Sequence, residues 1–354
     1  MGNLFKKMFS RENRGRTASY LIIIIAYIVL EIMRLSGNMT NLLSSLLVPV
    51  CCYITAAIAL NLNVGFSGEL NLGQGGFMGV GAFTAVVVSG SLAGVIPNPV
   101  IRLILAMIAG AVLAGAVGWL IGIPVLKLQG DYLAIVTLAF GQIIKSLITN
   151  LYVGLDKNGM HFSFVDNHLN LAEGGKVLIS GPMGATGTER IATFTAGAVL
   201  ILIALTIVYN LIRSRHGRAI MAARDNRIAA ESVGIHIANT KMLAVVISAA
   251  LAGAAGALFG LNNASLAASK FDFNLSILIL VYVVLGGLGN LNGTIIATTV
   301  LVLLPELLRS LQDYRMLIYA VILIVIMLVS NNEKMKTGLE RLRRKTGKGA
   351  DSHA

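Results

Sequence analysis

The chain has 354 residues, of which 56% are hydrophobic and only 12% charged, with a mean hydropathy of +0.80. A soluble fold of this length could not hide that much apolar surface, so a soluble enzyme or binding module is excluded. The net charge of +12 sits in basic runs at 6–16, 213–227 and 334–348 that flank apolar stretches, which is a pattern of membrane orientation rather than of a nucleic-acid groove.

Apolar segments fall near 19–36, 42–62, 76–96, 100–125, 131–152, 191–212, 241–262, 275–288, 293–310 and 315–330. At the usual span length these predict an all-α, polytopic helical membrane protein with about ten transmembrane helices. An even count with basic flanks places both termini inside. The chain then divides into a basic N-terminal segment at 1–18, a membrane domain at 19–331 and a basic tail at 332–354. The tail is expected to lie along the anionic inner leaflet or to stay disordered. No small-residue cleavage site follows the first apolar run, because Glu31-Ile-Met-Arg34 intervenes, so it reads as an uncleaved first span. Cys51 and Cys52 are adjacent inside the second run and read as two buried thiols.

A glycine-rich stretch follows, from Gly65-Phe-Ser-Gly68-Glu-Leu-Asn-Leu-Gly73-Gln-Gly75-Gly76 to Gly81, and a second runs from Gly286-Gly287-Leu-Gly289 to Gly293. Such density breaks a helix or lets backbones approach closely, and broken or re-entrant segments at membrane depth must be buried in protein or line a cavity. Paired Gly-interrupted segments in two halves of a transporter point to the translocation pathway; helix packing alone is the competing explanation. Lys145, Glu69 and Glu306 are the ionisable residues expected within or near the membrane. Central carboxylates of the kind that drive proton or sodium transport are lacking, which favours a passive conduit with an external engine. The histidines His161, His168, His216, His236 and His353 all fall in predicted loops, away from carboxylate or cysteine clusters.

The external segment 153–190 carries Asp156, Asp166, Glu173 and Glu189 with the turn pairs Asn158-Gly159 and Gly181-Pro182, and reads as a surface loop or a partner-facing cap. The inner loop 213–240 is basic and alanine-rich. Asn226 as N-cap, Arg227 and Glu231 at i,i+4 and Gly234 as terminator predict a short helix over 226–233. A helix on the inner face suggests docking of a soluble partner; a solvated connection is the alternative.

With these elements placed, the segment from Gly65 to Thr84 resembles the early signature of branched-chain amino acid ABC permeases. Leu128-Gln-Gly-Asp-Tyr-Leu-Ala-Ile-Val-Thr137-Leu-Ala-Phe-Gly141 is similar to a second motif of that group, and Gly217-Arg-Ala through Ala229-Ala-Glu-Ser-Val-Gly234 to its cytoplasmic coupling loop. Val284-Leu-Gly-Gly-Leu-Gly289, Leu304-Pro-Glu-Leu-Leu308 and Tyr314-Arg-Met-Leu317 complete the pattern, which is closer to the LivM-type than to the LivH-type subunit. The resemblance implies ATPase coupling through Arg218, Arg224, Asp225, Asn226, Arg227, Ala229, Ala230, Glu231 and Gly234. It implies a translocation pathway along Gly68, Glu69, Asn71, Gly73, Gln74, Gly75, Gly76, Thr137, Gly286 and Gly287. It also implies a second, LivH-type permease subunit, two cytosolic ABC ATPases and a periplasmic or extracellular solute-binding protein in a bacterial inner membrane. The chain would carry no catalytic, metal or cofactor site of its own, with ATP bound on the partners. Two departures bear on cargo: Gln74 stands where the family usually has His, and Glu69 is a less usual residue there. Branched-chain amino acids are the expected cargo; urea, amides, other amino acids or sugars are the alternatives, and a secondary transporter is the competing class.

Overall fold

The computed structural model describes residues 14–324 apart from 38, 129, 157–158, 165–174, 309–313, 315–316, 319 and 322. The N-terminal residues 1–13, the tail, most of the expected last span, and Asp166, His168, Glu173 and His353 lie outside the described residues.

The apolar runs fold as helices in the expected order. They are α1 (Arg14–Leu35), α2 (Asn41–Asn61), α3 (Gln74–Leu92), α4 (Pro99–Val125) and α5 (Asp131–Thr149). Strands β1 (Tyr152–Asp156), β2 (Gly159–Ser163), β3 (Lys176–Ser180) and β4 (Ala185–Thr186) come next, and then α6 (Phe194–Arg213). The chain continues through α7 (Arg215–Asp225), α8 (Arg227–Ser232), α9 (Ile237–Gly260), β5 (Ser265–Leu266), α10 (Phe273–Gly286) and α11 (Leu291–Leu307). Seven helices are long and apolar enough to cross a membrane, and α10 and α11 are shorter apolar helices. The protein is thus a polytopic helical membrane protein, with seven such spans among the described residues where the sequence suggests about ten.

Local sequence sets the helix ends. Asn98 accepts from the Val100 amide at 3.0 Å while Pro99 occupies the first turn of α4, and Thr193 caps α6 through the Ala196 amide at 3.2 Å. Cys51 and Cys52 are unpaired thiols buried on α2, as their apolar setting predicts.

The all-α expectation needs correction in the 153–190 segment. β1 pairs antiparallel with β2 and β3 in the order β2-β1-β3, and β4 pairs with β5. The turn pair Asn158-Gly159 lies between runs rich in Tyr, Val, Phe and Met, which is a hairpin signal, and Asp156 pairs with Gly159. Val153 and Ile179 face one another across the sheet, both fully buried. His161 belongs to β2 and His216 to α7, so neither is in a loop.

The compact unit Met1–Thr299 holds the core; the second unit, Val300–Ala354, contributes the last turns of α11 among its described residues. Helix α9 packs against α2, α3 and α4. Small residues permit this: a side chain at Gly81 would meet the Gly253 carbonyl, one at Gly253 would lie 2.6 Å from the Gly110 carbonyl, and one at Gly256 would meet the Met78 carbonyl. A second cluster joins α1, α2 and α6 through Ile23, Leu47, Ile54, Ile58, Ile201 and Leu205.

The helices share two ends. At one, Arg102 at the start of α4 pairs with Glu189 beyond the sheet, and a side chain at Gly90, near the end of α3, would meet Leu178 of β3. At the other lie the α2–α3 connection, α7, α8 and the basic residues Arg213, Arg215, Arg218, Arg224 and Arg227.

Candidate functional site

Between α2 and α3 the chain leaves regular helix. Residues Leu62–Ser67 form a single wide turn with i→i+5 bonding, Gly68 turns left-handed at φ +73°, and an extended stretch leads to Gln74. Wide turns of this kind concentrate at functional sites. Gly68 suits that backbone, and a side chain there would lie 2.6 Å from Cγ of Arg224.

The break is held from several sides. Asn61, wholly buried at the end of α2, donates through Nδ2 to Thr294 Oγ1 at 2.7 Å and accepts from the Gly289 amide at 2.8 Å. A side chain on Gly65 would run into Gly289, so the two glycine-rich stretches meet here. Thr137 of α5 accepts from the Leu72 amide at 3.1 Å, Asn71 Oδ1 from the Gly73 amide at 2.8 Å, and Ser276 Oγ of α10 from the Gly75 amide at 2.9 Å.

Two cavities adjoin the break. The smaller, about 20 Å³, is lined by Asn63, Glu69, Asn71 and Thr137 together with Phe77, Ile121, Val125 and Val245, and its surface is almost wholly apolar. It is large enough for one water molecule. Asn63 is 1% exposed, and neither of its amide atoms has a hydrogen-bond partner among the described residues; the same holds for Ser67 Oγ, Glu69 Oε2 and Gln74 Oε1. The larger, about 390 Å³, is a vestibule at the basic end lined by Ser67, Gly68, Glu69, Arg224, Arg227 and Lys241 among others. Glu69, Leu126 and Leu133 line both.

The pathway residues named from sequence therefore separate into groups. Glu69, Asn71 and Thr137 come together at the small cavity, while Gly68 and Glu69 face the vestibule. Gly73, Gly75 and Gly76 are packed: side chains there would lie 2.9 Å from the Thr137 carbonyl oxygen, 2.9 Å from Ser276 Oγ and 3.1 Å from Gly141 Cα. Gln74 is wholly buried with Nε2 toward the Ala56 carbonyl at 3.4 Å, and lines neither cavity. Gly286 abuts the Thr294 backbone and Gly287 forms the turn out of α10; neither reaches the cavities.

The 213–240 segment is more ordered than a connection. Besides α8, whose Asn226 cap accepts from the Ala229 amide at 3.0 Å and whose Arg227 and Glu231 pair at 3.2 Å, it contains α7, capped by Ser214. Gly234 ends α8 at φ +84°, as a helix terminator should. Ala230 packs with Ala223 and Ile237, and Arg218 donates to the Arg213 carbonyl at 3.1 Å. Arg224 bonds Asp225 at 2.8 Å and, through Nη1, the Gly65 carbonyl at 2.9 Å, linking α7 to the break. On the outer side of α8, Ile228 and Val233 are 81% and 75% exposed. Lys241, in the second turn of α9, meets Glu69 Oε1 at 2.6 Å. Sequence reading names neither Lys241 nor Asn61, because their partners lie 172 and more than 200 positions away.

Comparison with known proteins adds a second line. The family model described as branched-chain amino acid transport system / permease component matches residues 42–329. The high-affinity branched-chain amino acid transport system permease protein LivM of Salmonella typhimurium is 31% identical across 85% of this chain and 72% of its own length. The protein of that name from Escherichia coli is 33% identical across 78% of this chain and 66% of its own. A nucleoside ABC transporter permease, NupC of Lactococcus lactis, is 23% identical across 63% of this chain and 69% of its own. No solved structure matches the chain.

Proposed function

Because the chain belongs to the family of permease components of branched-chain amino acid transport systems, we propose that it conducts a small aliphatic amino acid inward when cytosolic ATPases act on its 213–240 segment. It is a transport subunit, and the hydrolysing site belongs to other chains. The basic end faces the cytoplasm, since cytoplasmic flanks carry the excess of Lys and Arg, and the sheet end meets a solute-binding protein. About ten spans, a second permease subunit and a plasma-membrane location belong to the same reading.

One observation carries it. A short, capped helix presents Ile228 and Val233 to solvent, while Arg224 just before it is bonded to the Gly65 carbonyl of the broken segment. Exposed apolar residues on an otherwise basic face suit a docked protein, and the bond gives that partner a grip on the break. Glu69, Asn71 and Thr137 would line the conduit near its inner end. Gly73, Gly75 and Gly76 would shape it by close packing.

The test is reconstitution with a partner permease, the ATPases and binding protein in liposomes. ATP-dependent uptake of leucine, isoleucine or valine should exceed that of urea, a nucleoside or a sugar. Ile228→Asp should abolish ATPase stimulation while leaving the permease folded. Uptake that proceeds equally without ATP would refute the reading in favour of a secondary transporter.

A further inference from the structure

The vestibule and the small cavity share three lining side chains, and only one of these is charged. Glu69 lines both spaces, with Leu126 and Leu133 completing the shared wall. Its two carboxylate oxygens are treated differently. Oε1 accepts from Lys241 Nζ at 2.6 Å; Oε2 is buried and has no partner among the described residues. The amide of Asn63, buried and unpartnered at both atoms, borders the same small cavity. One carboxylate oxygen therefore has its partner on the vestibule side, while the other oxygen and the Asn63 amide are both unpartnered among the described residues.

We propose that Lys241 and Glu69 form the inner latch of the permease. The ion pair closes the wall between the two cavities. Its release, driven by the 213–240 segment, lets Glu69 turn to Asn63 and joins the spaces. This rests on the reading of that segment as the ATPase-coupling element.

The two residues are mounted on parts able to move against each other. Lys241 lies in the second turn of α9, seven residues beyond Gly234, close in sequence to the end of α8. Glu69 is on the extended stretch after Gly68, outside any helix, with its amide on the Asn63 carbonyl at 3.0 Å. The Arg224 bond to the Gly65 carbonyl ties the adjoining wide turn to α7. Side-chain exposures of 16% for Lys241 and 11% for Glu69 keep water and salt from screening the pair as they would at a surface. Lys241, Glu69 and Asn63 are positioning residues: they act on the opening, not on ATP.

The experiment uses the full complex in liposomes and reads solute taken up per ATP hydrolysed, for assembled complex only. Glu69→Gln and Lys241→Met should each lower that ratio at least about fivefold, the low end of a coupling free energy, while stimulated hydrolysis persists. Joining Glu69→Lys with Lys241→Glu should restore most of it, a result that a merely structural role for either residue would not give. Asn63→Leu should lower uptake with the ion pair intact. Single variants that keep the wild-type ratio, or an assembled charge swap as uncoupled as the singles, would overturn the latch. Should the swap not assemble, Lys241→Arg decides: a ratio near wild type supports the pair, and a lost ratio overturns it. Absence of ATP-dependent uptake in the wild-type complex would instead defeat the coupling reading itself.

Discussion

Asn61 is the residue whose removal should cost the fold most for the fewest atoms. It joins the end of α2 to the turn between α10 and α11, donating to Thr294 Oγ1 and accepting from the Gly289 amide. Asn61→Ala deletes both bonds. Hydrogen bonds between helices in lipid average about 0.6 kcal/mol each. The half-buried Gly289 N–H would also be left without this acceptor, at a cost of up to about 1–3 kcal/mol. The total is about 2–4 kcal/mol, against a net stability of about 5–15 kcal/mol for a typical domain. Denaturant titration of the purified protein in mixed micelles measures this directly, and the midpoint should fall accordingly. Thr294→Val removes one of the same two bonds, so the double variant should lose less than the sum of the singles. A change below about 0.5 kcal/mol for Asn61→Ala, the level of an ordinary surface substitution, would refute the argument, as would strict additivity.

Gly253→Leu should fail to yield a monodisperse protein, since even its Cβ would sit 2.6 Å from the Gly110 carbonyl; a normal gel-filtration profile and unfolding midpoint would count against close packing there. Gly75→Leu should likewise mispack against Ser276 and the Asp272 carbonyl, which are 2.9 and 3.0 Å from a side chain at that position, and an assembled complex with normal uptake would contradict this. For Gly68→Val the left-handed backbone and the nearby Arg224 side chain predict a strain of about 1–3 kcal/mol, read as weakened ATPase stimulation in an assembled complex. Asn226→Ala should remove about 1 kcal/mol from α8, seen as faster amide exchange over residues 227–232 with the spans unaffected.

The helices were legible because apolar runs of membrane length have one structural outcome, and α8 because its cap, ion pair and terminator lie within nine residues of one another. The sheet was half legible. Asn158-Gly159 signals a hairpin, but β3 joins β1 across a segment whose polarity gives no pairing partner away. What sequence could not give was contact at distance. Glu69 stood out as ionisable, yet nothing near it indicates Lys241, and Asn61 looks like any small polar residue ending a helix. The glycines illustrate the same limit. Density alone does not tell a residue that lines a space, as Gly68 does, from one that lets a neighbour fill it, as Gly75 does. α7 was missed because its Arg-rich composition reads as a charge run until its Ser214 cap and buried Ile220 are seen.

The packing of α9 has a consequence for how the protein is made. α3 and α4 touch through Gly81 and Gly110, and α9 then fits against both through Gly253 and Gly256. At ordinary translation speeds of about 5–20 residues per second, the ribosome completes α9 roughly 7–30 seconds after α4. Over that interval the first two helices sit in lipid as a pair with a furrow of bare backbone along one side. In that interval α5 packs on α3, but the furrow stays open to any other small-faced helix nearby. Nascent chains halted between residues 125 and 237 should therefore be the species most prone to capture by membrane chaperones or to wrong helix partners, and chains extended past 260 should escape both.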